Sequence, residues 1–145
     1  MKKKYIKLYD AIFPVWILLL WPKLWLAVLP ANFLIDLVVV VLTLRCLGIK
    51  DIMQNAKSVI VKVWLYGLAA DVIGAAAMLF NPQAYTYNIY TVLWITGCVI
   101  ISAFFIFRFN YKYSLETSSL DNSQKQKLAL VLAVITAPYM FFIPA

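Results

Sequence analysis

The sequence predicts an all-α fold, an integral membrane bundle of about five transmembrane helices. Three observations carry that expectation. Hydrophobic residues make up 65% of the chain and charged residues only 13%, against roughly 45–50% and 25% in a soluble domain. The apolar residues fall in runs long enough to cross a hydrocarbon core about 30 Å thick. The cations gather at the ends of those runs. With 145 residues there is room for one domain, and a soluble domain of that size could not cover so much apolar surface.

The first expected span is 6–21, about 24 Å of helix. Lys2-Lys3-Lys4 ahead of it imitates a secretory signal. No small-residue cleavage site follows, only Trp21-Pro22-Lys23-Leu24-Trp25, so the segment is expected to stay as a helix. Pro22 is read as its stop, and 22–30 as a segment lying at the membrane interface. Asn32 then caps a second span, 32–48, which Gly48 closes by taking positive φ.

Asp51-Ile52-Met53-Gln54 resembles a capping box and starts the third span, 52–80, ended by Asn81-Pro82. The fourth span is 89–108, and the polar stretch after it, a loop over 109–121, reads as a flexible connector. Asp121 and Gln124 form a second capping-box pattern at the head of the last span, 122–143, with Pro138 as a kink. Four spans with a re-entrant first or last segment is the alternative, because both are short.

Charge sets the orientation. A cytoplasmic N-terminus places twelve of the thirteen Lys and Arg residues on the cytoplasmic side and only Lys23 outside. That bias is the positive-inside signature of a cytoplasmic membrane protein with its C-terminus outside. The net charge of +7 therefore reads as topology and contact with anionic headgroups, not as a nucleic-acid surface.

The polar inventory within the spans is sparse. Asp71 is the deepest carboxylate, on a stripe with Trp64, Gly67, Gly74, Ala75 and Met78 at helical spacing. Gly67, Gly74 and Ala75 make that stripe a face for close helix packing. A carboxylate at such depth is by default a functional group, binding a proton or cation, or else a buried hydrogen-bonding anchor. Asp36 sits a turn inside the second span, where the helix dipole favours a negative charge. Arg45 lies near the other end of the same span, within reach of Asp71. Asp36 and Arg45 are nine residues apart, on opposite sides of a straight helix, so only one of them faces Asp71. Asp36 there makes a carboxylate pair suited to binding a proton or cation; Arg45 makes a structural clamp. Thr91, Cys98 and Ser102 line a faintly polar face of the fourth span, able to supply hydroxyls to Asp71 or to serve as a packing seam.

Catalytic sets are missing from the sequence. There is no His, no nucleophile elbow, no phosphate loop and no zinc motif. Cys46 and Cys98 lie in separate spans, the pattern of buried thiols. No metal or other cofactor is expected, and no enzyme. The expectation is a non-enzymatic packing or accessory subunit of a membrane complex, held by lipid and by a membrane protein partner or further copies of itself. The alternative is a small oligomeric transporter or channel with Asp71 as its proton or cation site.

Overall fold

A computed structural model describes residues 22–81 and 88–142. The expected first span, 6–21, and the final residue of the expected last span lie outside the described residues. Within them the fold is all-helical, with no strand. Three helices are long and apolar enough to cross a membrane. Among the described residues a count of five spans is not confirmed.

The first described helix, α1, runs Pro22–Cys46, 25 residues with Pro30 inside it. This corrects two expectations. Residues 22–30 are helical, and Asn32 lies within the helix instead of capping it. Pro22 occupies the first turn, where a missing N–H is no loss and the fixed φ suits a helix start. Pro30 removes one backbone bond but does not end α1, since apolar surroundings offer that backbone no better partner. The other end is as the sequence predicts. Gly48 has φ +70°; its N–H meets Arg45 O at 3.1 Å, and that of Ile49 meets Leu44 O at 3.2 Å. This is a Schellman closure.

Helix α2 spans Ile52–Met78, and Asp51 at its head makes no side-chain cap. The expected box does not form there. Asn55 takes over the end instead, donating from Nδ2 to Asp51 O at 3.1 Å. Helix α3 spans Ile89–Phe109 and is capped by Asn88, whose Oδ1 accepts from Thr91 N at 2.9 Å.

The polar stretch beyond α3 is not a flexible connector. It continues as a π-helical turn, Asn110–Ser114, and a 3-10 turn, Leu115–Thr117. Asn55 holds it down, its Oδ1 accepting from Ser119 N at 3.1 Å and Ser119 Oγ at 2.9 Å. Tyr66 stacks on Tyr113 with centroids 5.5 Å apart. The last helix, α4, spans Asn122–Ile135 and does have its capping box. Gln124 N reaches Asp121 Oδ1 at 2.7 Å, and Asp121 N reaches Gln124 Oε1 at 3.1 Å.

Helix α4 is 14 residues long, about 21 Å, and stops well short of the expected 143. Pro138 follows a break at Thr136–Ala137, and the chain resumes as a 3-10 turn, Tyr139–Phe142. Proline supplies no N–H to carry the helix on.

The helices pack as an antiparallel bundle. Arg45, Lys50, Lys57, Arg108, Lys112, Lys125 and Lys127 gather where α1 and α3 end and α2 and α4 begin, here the basic end. Lys23 stands at the opposite end. The core falls into two apolar clusters. One, toward the basic end, joins Val40, Leu44, Val59, Val63, Ile106, Leu128 and Leu132 among others. The other joins Ala75, Met78, Ile95, Cys98, Val99, Ala137 and Phe141. Large apolar side chains such as Leu34, Val38, Leu93, Ile100 and Phe104 face outward, as lipid contact allows.

Candidate intramembrane carboxylate site

Between the two clusters lies a polar layer, built where α2 and α3 come closest. Ala70 belongs to one cluster and Ala75 to the other, and Asp71 falls between them. Its Oδ1 accepts a hydrogen bond from Ser102 Oγ at 3.0 Å, and the same hydroxyl is 3.2 Å from Ala70 O. Ser102 is fully buried.

Gly74 makes this approach attainable. A methyl group there would sit 2.9 Å from Ser102 Cβ and 3.3 Å from both Cys98 O and a Phe141 ring carbon. The absent side chain is what lets α3 lie against α2, as small residues do between membrane helices. Gly67 and Ala75, expected on the same packing face, differ from it. Ala75 is buried in the apolar cluster, whereas a methyl at Gly67 would meet Asp36 Oδ2 at an ordinary 3.8 Å.

That contact places Asp36. It is 8% exposed and faces α2 at Gly67, one turn before Asp71. Helical side chains tilt toward their own N-terminus. In antiparallel α1 and α2, Asp36 and Asp71 therefore lean toward each other's level. Arg45 points the other way. It is exposed, with no ion pair among the described residues. Of the two residues that the sequence offers to Asp71, Asp36 is buried against α2 at Gly67 and Arg45 is exposed.

Thr91, Cys98 and Ser102 are all buried on the face of α3. Of these Ser102 reaches the carboxylate; its spacing of four from Cys98 was the signal for it. The Phe141 ring against Gly74 had none, because it depends on the break in α4. Two further polar residues are buried elsewhere. Asn110 and Ser114, 1% and 0% exposed, have side-chain polar atoms without hydrogen-bond partners. They lie a few turns nearer the basic end. Among the described residues no group of three or more acidic, His or Cys side chains is placed to hold a metal ion.

Chemically, the layer is a carboxylate that accepts from a serine hydroxyl, near a second carboxylate and a backbone carbonyl. It offers oxygen ligands and proton acceptors. What the fold defines is a class, an all-helical chain with three helices apolar and long enough to span a bilayer. Compared with known protein families, curated proteins and solved structures, the chain matches none.

Proposed function

We propose that the protein is a small transporter or channel of the cytoplasmic membrane in which Asp71, paired with Asp36, binds a proton or small cation. The observation that supports this reading is the Asp71–Ser102 hydrogen bond between two apolar clusters, with Asp36 buried against α2 one turn away. Intramembrane carboxylates that face a bundle interior are the usual elements of ion and proton paths. The break in α4 adds support. Transport sites are typically built at discontinuous helices, and Ala137, at the break, packs in the cluster beside the site.

The small-residue stripe on α2 weighs against a mere packing subunit. Gly74 and Ala75 are used inside the chain, against α3 and the C-terminal turn, and so are not free for a partner. A subunit role remains the second reading, favoured by Gly97. It has open space around it on an α3 face that also exposes Leu93, Ile100 and Ile101, a surface another helix would fit.

Charge bias supports a cytoplasmic basic end. The test is flux in proteoliposomes, proton and monovalent cation in turn, for the native protein, Asp71→Asn and Asp36→Asn. Asp71→Asn is isosteric and is expected to abolish flux while leaving helicity and melting intact. Native flux that survives the substitution removes Asp71 from the path. Co-purification of a stoichiometric foreign membrane protein, with no flux from the isolated chain, favours the subunit reading.

A further inference from the structure

Phe141 is 3% exposed although it rides on a four-residue turn at the very end of the described chain. Its ring lies over the notch left by Gly74, beside Ser102. Gly74 is three residues beyond Asp71, about 4.5 Å nearer the opposite end of the bundle. The ring therefore stands between the carboxylate layer and that end. Met78, Ile95 and Val99 close the same seam, but each is fixed on a long helix.

The turn is attached differently. Its bonds run within itself and back to α4. Phe141 N meets Pro138 O at 3.0 Å and Tyr139 N meets Ala137 O at 2.7 Å, while the Tyr139 hydroxyl donates to Val134 O. Thr136 closes α4 by donating from both N and Oγ1 to Leu132 O, at 2.9 and 2.8 Å. Phe141 meets α2 and α3 through apolar contact.

We infer that Tyr139–Phe142 is a lid, with Phe141 as its plug, hinged at Thr136–Pro138 and closing the way to Asp71 and Ser102 from the opposite end. The inference rests on the reading of Asp71 as the ion-binding residue. Among the described residues, opening the lid breaks no backbone bond to α2 or α3; it lifts one aromatic ring from its notch. Segments held mainly by one apolar contact are those that open locally, well below the cost of global unfolding.

Cys98, buried at 2% exposure in the cluster Phe141 completes, is a native reporter of that opening. The experiment uses the full chain in lipid nanodiscs with the exposed Cys46 replaced by Ser, and follows modification of Cys98 by a water-soluble maleimide. Phe141→Ala is expected to accelerate labelling roughly tenfold or more by raising the open population. Phe142→Ala, on the same turn but exposed, and Leu132→Ala, in the other core cluster, are expected to label at the native rate. An unchanged rate in Phe141→Ala overturns the lid. So does equal acceleration in Leu132→Ala, because the effect is then general loosening. Since the readout needs no flux, it fails or succeeds independently of Asp71→Asn in proteoliposomes.

Discussion

Ser102 places one hydroxyl between two acceptors, Asp71 Oδ1 at 3.0 Å and Ala70 O at 3.2 Å. A serine hydroxyl has a single proton and donates to one acceptor at a time. With a donor on Asp71, a proton or the amide of an Asn, Ser102 accepts from residue 71 and gives its own proton to Ala70 O. Both bonds then form together. Asp71→Asn is accordingly expected to melt at or near the native temperature.

Ser102→Ala removes the one donor that serves both acceptors. Hydrogen bonds between membrane helices contribute about 0.6–2 kcal/mol each, so the loss is expected in that range. Reversible unfolding in mixed micelles measures it. A Ser102→Ala protein as stable as native would show that the α2–α3 seam is held by packing alone.

Three glycine substitutions separate close approach from propensity. Gly74→Ala drives a methyl into Ser102 Cβ and is expected to cost about 1–3 kcal/mol, the scale of overpacking. Gly67→Ala meets Asp36 at an ordinary distance and is expected to be near neutral. Gly97→Ala enters open space and is expected to gain up to about 1 kcal/mol of helix propensity. Thermal melts of the three proteins in one detergent give the order.

Asn55 is 4% exposed and joins the start of α2 to Ser119 by two bonds and to Asp51 by a third. Asn55→Ala leaves those partners without it, at about 1–3 kcal/mol. Hydrogen exchange should speed up over 115–121 and remain slow in the middle of α2. Fast exchange throughout would mean that the segment does not fold as a separable unit.

The Ser114 hydroxyl is expected to behave in the opposite sense. It is buried without a partner, which penalises the folded state. Ser114→Ala is therefore expected to be neutral or stabilising by up to about 1 kcal/mol. A loss larger than that would mean the hydroxyl has a bonded partner in the membrane.

Much of the site was legible. The nine-residue gap put Asp36 and Arg45 on opposite faces; the burial of one was then the exposure of the other. Gly48 and the Asp121–Gln124 box announced their helix ends because both rely on neighbours in sequence. The same reasoning failed at Asp51, where Asn55, held in turn by a segment more than sixty residues away, took over the end. Pro30 misled because proline rules from water weaken where backbone has no solvent to turn to. The fold of 110–117 depends on Asn55 and Tyr66 from α2, and the seat of the Phe141 ring on the notch that Gly74 leaves between α2 and α3. Both are tertiary facts, without a local signature.

The π-helical turn at Asn110–Ser114 also bears on chain length. Buried positions on α3 advance in steps of four at Ser102, Ile106, Asn110 and Ser114. At about 100° per residue each such step drifts some 40° around an α-helix. The wider turn accommodates one extra residue and turns the stripe back by part of that drift, which keeps Ser114 and Leu115 on the inward side. Indels here are consequently not equivalent: losing a residue would tighten the turn to ordinary winding and swing everything from Leu115 onward about the axis, carrying Ser119 away from Asn55.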